Sequence, residues 1–290
     1  MRVFALSDVH VDYAANRAWL ETFPAADPAG DALLLAGDVS DDLSRLRATF
    51  ALLQAKFAAV FFVPGNHELW VRRRECADSM AKFQLVLDLC AEMGVRTSPA
   101  RLGSAGDAAV WVVPLFSWYV QPEEGNGSLF VPKEGEDASL EMWADRYFTR
   151  WSGFGPGATV ADAFLRLNDA HVDRSYDAPV ISFSHFLPRA ELMARTREES
   201  AARTRPLPDR NPRFNFSRVA GCAGLEAQIR RLGSAIHLYG HQHRNRQRRI
   251  DGVLYVSHCL GYPSERESGH VDGVGGGPKL IWPRPRPDAA

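Results

Sequence analysis

An α/β fold is what the sequence predicts, and three observations predict it. Short apolar runs recur along the chain, amphipathic stretches separate them, and polar residues able to bind metal directly follow five of the runs. Taken in order, Val3 to Leu6 and Ala32 to Ala36 read as buried strands. A helical stripe of Leu43, Leu46, Phe50 and Leu53 follows, with Ser40, Asp41 and Asp42 available to cap its start. Val60 to Val63 is the third strand. Cys76, Met80, Phe83, Leu87 and Cys90, spaced by four and three, predict a second helix ending near Gly94. Ala109 to Val113, Val180 to Phe183 and Ala235 to Tyr239 are further strands, and Leu225, Ile229 and Leu232 mark a third helix stopped by Gly233. Asp251-Gly252 between Gln247 to Ile250 and Val253 to Val256 is the pattern of a tight hairpin.

Residues 117 to 158, mixing tryptophan and tyrosine with glycine and acids, and residues 194 to 217, dense in arginine and proline, break this rhythm. They read as insertions or long loops within a single domain spanning 1–290. The last twenty residues read as a loop, one short strand and a frayed tail.

Composition narrows the function classes. The chain has 290 residues, 46% of them hydrophobic, ample for a core, and its 34 basic residues nearly cancel 35 acidic ones. That balance offers no electrostatic reason to expect nucleic acid or an anionic membrane as the main partner. The longest uncharged run, Ala108 to Pro122, contains two prolines and falls short of the roughly 18 residues a membrane-spanning helix needs. No leader of charged and then apolar residues opens the sequence, and the four cysteines form no CxxC pair, so a reducing cytoplasm is the expected setting.

Function is written in the residues after the strands: Asp8-Val9-His10, Gly37-Asp38, Gly65-Asn66-His67-Glu68, His185, and Gly240-His241-Gln242-His243. In open α/β sheets ligands bind outside the carboxyl ends of the strands, where residues distant in sequence converge. Asp8 with His10, and His241 with His243, are two residues apart, the spacing that puts side chains on one side of an extended segment. Carboxylate, amide oxygen and imidazole suit manganese, iron, zinc or nickel, and the absence of cysteine argues against a structural zinc site. Singly these pieces have plainer readings: Gly37-Asp38 as a turn, Asn66 as a loop residue, His185 as a satisfied histidine at a strand end. Their joint occurrence in order does not. His237, inside an apolar run, reads as buried and hydrogen-bonded, while His171, His258 and His270 belong to no motif.

With DxH, GD, GNH plus an acid, a lone His and GHxH all present in order over residues 8 to 243, the sequence resembles the calcineurin-like metallophosphoesterase superfamily. The resemblance implies a four-layer α/β/β/α sandwich with two central mixed sheets and the metal site at the carboxyl ends of the strands. It implies that Asp8, His10 and His243 bind one metal, that Asn66, His185 and His241 bind another, and that Asp38 bridges them. Two cations roughly 3.5 to 4 Å apart would each hold a phosphate oxygen and generate a hydroxide between them. His67 would stand over the phosphate, stabilising charge or protonating the leaving oxygen. Glu68 would serve as an acceptor behind a ligand imidazole or else as a solvated turn residue. The segment from His258 to Pro263 is similar to one that closes the back of the family's site.

The expectation is therefore a phosphomonoesterase or phosphodiesterase of a small phosphorylated substrate, using two divalent transition-metal ions, manganese foremost. Asp41 stands where purple acid phosphatases carry a metal-binding tyrosine, and the Asp-Arg-Gly triplet of protein phosphatases is missing after Asp38. The arginines at 195, 197, 203, 205 and 210 could reach a second phosphate or a carboxylate, or form a solvated loop. The competing readings are a nuclease, for which no DNA-binding addition is found, and a scaffold that has lost catalysis, which the filled set of motif positions disfavours.

Overall fold

The structure, a computed structural model, describes residues 1–23, 30–72, 76–103, 109–155, 157–196, 199, 209 and 211–283. A four-stranded sheet is built from β1 (Val3–Leu6), β2 (Ala32–Ala36), β3 (Ala59–Val63) and the C-terminal β10 (Lys279–Trp282), in the order β10-β1-β2-β3. Its first three strands are parallel and β10 is antiparallel. A six-stranded sheet has the order β4-β5-β6-β7-β9-β8, from β4 (Ala100–Leu102), β5 (Val110–Pro114), β6 (Val180–Phe183), β7 (Ser234–Tyr239), β8 (Arg246–Ile250) and β9 (Val253–Ser257). Here β5, β6, β7 and β9 run parallel, and the edge strands β4 and β8 are antiparallel.

Strand alternation sorts each apolar run between two faces. Val3, Ala5, Leu34, Phe61 and Val63 of the first sheet pack with Val112, Ile181, Phe183, Ile236 and Leu238 of the second in one inter-sheet core. On the outer face of the first sheet, Leu33, Leu35, Val60 and Phe62 meet Leu20, Phe50, Leu53 and Val86 from α1 (Ala14–Thr22), α2 (Leu43–Gln54) and α3 (Ser79–Met93). On the outer face of the second, Val113, Val180 and Tyr239 meet Ala161, Leu225 and Ile229 from the helices Val160–Leu167 and Ala223–Arg231. The result is a four-layer α/β/β/α sandwich. Side chains such as Phe50 and Leu34 are fully buried, each stabilising the fold by roughly 1.5–3 kcal/mol relative to exposure.

Local signals set the helix ends. Asp42 caps α2 by accepting from the Ser44 and Arg45 amides, and Gly94, at φ 70°, closes α3 in the left-handed region. α3 begins at Ser79 rather than at Cys76, because Asp78 takes the N-cap and accepts from the Ala81 amide at 2.8 Å. Cys76 therefore lies outside the helix and is half-buried, while Cys90 is buried as expected. The hairpin forms at Asp251 and Gly252, both with positive φ (45° and 87°), as a two-residue turn between right-twisted strands demands.

Segment 117 to 158 has no strand of the two sheets and one short helix, Asp145–Phe148, yet it is no surface loop, since Trp118, Tyr119, Leu129 and Leu140 are buried. Of the arginines 195 to 210, Arg195 lies near Arg246 and affects its ionisation, and Arg197, Arg203, Arg205 and Arg210 fall outside the described residues. Among the described residues, no helix is long and apolar enough to cross a membrane.

Candidate metal centre

Five strands deliver their following residues to one place. Asp8 and His10 follow β1, Asp38 follows β2, Asn66 follows β3, His185 follows β6, and His241 and His243 follow β7. Asp8, His10, Asp38 and His243 each offer a ligand atom within 4.8 Å of the others, and Asp38, His185 and His241 form a second such group. The two groups share the Asp38 carboxylate. Each draws ligands from both sheets.

Five of these residues stand in left-handed backbone, while Asn66, at φ −71°, is right-handed. Asp8 (φ 50°), His10 (44°), Asp38 (55°), His241 (71°) and His243 (50°) all occupy a region that non-glycine residues rarely adopt. The convergence of Asp8 with His10 and of His241 with His243 thus comes from left-handed turns, not from the alternation of an extended strand. Backbone bonds from Asp8 N to Gly37 O and from His10 N to Asp38 O, both 2.9 Å, lace the first two loops together. The His241 amide donates to Asp8 Oδ1 at 2.9 Å, tying the second sheet to the first.

Glu68 has neither role foreseen for it. It is fully buried, and its carboxylate accepts from the backbone N–H groups of Asp38, Val39, Ser40 and Gly65 at 2.6–3.0 Å. It pins the loop after β2 to the loop after β3. The carboxylate behind a histidine is instead Glu265, which accepts from His243 Nδ1 at 2.7 Å.

The imidazole tautomers test whether these residues suit a cation. His185 Nδ1 lies 2.9 Å from Ala36 O and His241 Nε2 lies 3.0 Å from Val219 O, and a carbonyl can only accept. With those nitrogens protonated, His185 Nε2 and His241 Nδ1 present lone pairs, and they face each other at 3.2 Å. His243 donates from Nδ1 to Glu265 and turns Nε2 toward His10 Nε2, 3.0 Å away. Asn66 Nδ2 donates to Asp145 Oδ1 at 2.8 Å, which leaves Asn66 Oδ1 facing His185 Nε2 at 3.2 Å. Lone pairs directed at one another in a buried space are the donor set a divalent cation requires.

Electrostatics agree for four imidazoles: burial holds His10, His67, His185 and His241 below their ordinary range, keeping them neutral. Burial opposes charge on His243 as well, but hydrogen bonds to Asp8 and Glu265 and their charges push it well above that range, so its Nε2 keeps a proton that a cation would have to displace. Burial and then the charges of Glu68 and Asp8 push the Asp38 carboxyl up, a crowding of acids that bound cations would relieve. Burial opposes the Asp8 carboxylate too, but its hydrogen bond and charge interaction with His243 hold it below the usual carboxylate range.

His67 sits at the rim. Its amide donates to Asp38 Oδ1 at 3.0 Å, its Nε2 lies 3.8 Å from Asp38 Oδ2, and its ring stacks on Trp70 with centroids 3.7 Å apart. Tyr262 flanks His10 and His243 at 4.5 and 4.8 Å between centroids. The remaining histidines stand apart from the cluster. His237 is buried between Ser182 and Ser184, His258 donates to Gly277 O, and His171 to Pro114 O. Sequence reasoning did not find Asp145, Glu265 or Trp70, which carry no motif, although Glu265 lies just after the His258 to Pro263 segment it singled out.

Comparison with known proteins gives the family and the fold. Residues 1–245 match the family model described as calcineurin-like phosphoesterase. The chain is 27% identical over 276 residues, covering 91% of itself and 78% of its relative, to the [acyl-carrier-protein] phosphodiesterase PptH of Mycobacterium tuberculosis (strain ATCC 25618 / H37Rv). The crystal structure of the phosphopantetheinyl hydrolase PptH from Mycobacterium tuberculosis superposes with a TM-score of 0.75 at 23% identity, over 98% of this chain and 96% of that one, a likeness of fold.

Proposed function

Because the chain belongs to the calcineurin-like phosphoesterase family, and is thereby a metal-dependent hydrolase of phosphoric ester bonds, we propose that it cleaves a phosphodiester at two divalent ions held by the cluster. Asp8, His10 and His243 hold one ion, Asn66, His185 and His241 hold the other, and Asp38 serves both. The observation that carries this reading is the pair of ligand groups sharing Asp38, with imidazole lone pairs turned inward by their anchored N–H groups. Bound there, the ions supply Lewis-acid charge for the phosphoryl oxygens and make water a nucleophile at neutral pH.

The protein's own residues do the rest. Ala36 O and Val219 O hold His185 and His241 in one tautomer, and Glu265 orients His243, whose Nε2 proton a cation would displace. Burial keeps the free His67 ring neutral, and beside the negative charge of a bound ester it would take up a second proton from water and pass it from Nε2, near the Asp38 carboxylate, to the departing oxygen. We take manganese as the native metal and a reducing cytoplasm as the setting. The oxygen, amide and imidazole ligands and the buried thiols support these choices, burial pushing the Cys222 thiol up to about 11. A phosphodiester is favoured over a monoester because the relative PptH is an [acyl-carrier-protein] phosphodiesterase, which adds a phosphodiester carried on a protein to the small substrates expected from the sequence.

The test is turnover of bis(p-nitrophenyl) phosphate, p-nitrophenyl phosphate and a phosphopantetheinylated carrier protein, after metal removal and after manganese, iron or zinc is restored. Activity is expected to vanish in strong chelator, to return with a transition ion, and to show higher kcat/KM on diesters. Full activity in protein shown by elemental analysis to hold no metal defeats the mechanism, and a monoester preference defeats the diester assignment.

A further inference from the structure

Segment 117 to 158 reaches the metal cluster through Trp143, whose ring stands edge-on to His241, and through Asp145. Asp145 is fully buried, and the Tyr119 hydroxyl and three N–H donors converge on its carboxylate. Oδ1 accepts from Asn66 Nδ2 at 2.8 Å and from Trp70 Nε1 at 2.7 Å, while Oδ2 accepts from Trp143 Nε1 at 3.1 Å. The surrounding backbone is locked to the loop that follows β3: the Val71 amide donates to Phe148 O, the Ser79 amide donates to Arg150 O, and the Arg150 amide donates to Ser79 Oγ.

A side-chain amide has an oxygen end and a nitrogen end of similar shape, and only its hydrogen bonds decide which faces a cation. A carboxylate accepts and does not donate, so opposite Asp145 the Asn66 amide must turn its nitrogen outward and its oxygen inward, toward His185 Nε2 at 3.2 Å. The same carboxylate holds the Trp70 indole, whose ring stacks on His67 at 3.7 Å. One buried acid therefore sets both an oxygen of the cluster and the plane of the imidazole at its rim.

We infer that Asp145 is a positioning residue, which aims the Asn66 oxygen at the second ion and, through Trp70, fixes the His67 ring; this rests on the ligand assignment proposed above. It gives segment 117 to 158 a function, as the outer support of the site. Asparagine at 145 could still turn its oxygen to Asn66 and Trp70 and its nitrogen to the Tyr119 hydroxyl, whereas leucine, of similar size, takes the acceptor away from all of these donors.

Metal affinity, steady-state kinetics and side-chain NMR on the full chain test the inference. Asp145→Leu should keep its fold and its affinity for one manganese ion, weaken the other by roughly 10- to 100-fold, and lower kcat at saturating metal more than it changes KM. Trp70→Phe, which leaves the bond from Asn66 to Asp145 in place, should keep both affinities and lower kcat alone. Asn66→Asp sets two carboxylates against each other, and adding Asp145→Asn reverses donor and acceptor and should recover part of the affinity that Asn66→Asp alone loses. Wild-type binding and turnover in Asp145→Leu, or a double variant no better than Asn66→Asp alone, overturns the inference. Should Asp145→Leu fail to fold, metal-free wild type decides: the Asn66 amide and Trp70 indole protons must be protected from solvent exchange, and rapid exchange of both overturns the assignment. Those signals are read without metal or turnover, so an inactive, metal-free wild type that shows protection defeats the proposed function and leaves the role of Asp145 standing.

Discussion

At the scale of single residues, His67 and Glu68 are neighbours with opposite work. Burial keeps the free His67 ring neutral, so in the proposed acid role it must first gain a second proton beside the negative ester, and its contribution depends on how much the leaving oxygen needs that proton. An alkoxide needs a proton to leave, and His67→Ala should slow an alkyl ester by about 10² to 10⁴-fold. A nitrophenolate leaves unaided, and there the loss should shrink while both metals stay bound. The check is kcat/KM across esters of graded leaving-group pKa, alongside metal analysis. An equal loss across the series would assign His67 to charge stabilisation, and loss of a metal would place it among the ligands. Glu68 touches no ligand side chain, yet Glu68→Gln would set an amide nitrogen among four backbone donors. Each donor left without an acceptor costs roughly 1–3 kcal/mol. The expected outcome is a lower thermal midpoint and reduced metal content, both of which Glu68→Asp should restore only in part. An unchanged midpoint would deny the pinning role.

At the scale of elements, the loops after the strands are shaped by glycine as much as by the ligands. A Cβ on Gly65 would run into Asp38 Oδ1 and stand 2.7 Å from His185 Cε1, and one on Gly37 would stand 2.6 Å from Gly65 N. Gly65→Ala should therefore displace Asp38 and His185 together, so that metal content falls at both sites although no ligand is altered. Titration of the variant with manganese checks this, and wild-type stoichiometry and affinity would sink it. The glycines were legible as part of the motifs, but their physical reason, a near contact between two loops, needs the fold. The same division runs through the chain. β1, β2 and the hairpin at Asp251-Gly252 could be read directly, because period and turn chemistry are local. The start of α3 was misplaced because Asp78 competes as a cap with the apolar stripe that Cys76 appeared to extend, and α1 lacks an acidic first turn and a side-chain cap to announce it. Asp145 meets Asn66 across 79 positions, a pairing no sequence period encodes.

At the scale of the whole molecule, stability on the acid side depends on histidines remote from the cluster. Burial pulls His237 down to about 3 and His258 to about 4, against an ordinary value of 6.5. The unfolded chain thus takes up protons on these groups as pH falls through 6.5, and the folded chain does not until pH nears 4. Stability is lost over that window, by up to about tenfold in the folding equilibrium per pH unit for each group, and neither contributes above it. Urea unfolding of metal-free protein between pH 7.5 and 4.5 should show the decline, and His258→Gln, which keeps a donor for Gly277 O, should lessen it by close to one proton. Identical slopes in the two proteins would remove His258 from the account.

Asp8 and His243 lie 235 positions apart in a chain of 290, and they face one another across 3.4 Å. An ion held by both would close about four fifths of the polypeptide into a ring, without a covalent bond. Ring closure restricts an unfolding chain by cutting its conformational freedom, and the cost of closing a loop rises only slowly with its length. The loaded protein would then be a circle whose clasp is the metal, with the strands after His243 outside it, and the ring itself would open only when an ion departs.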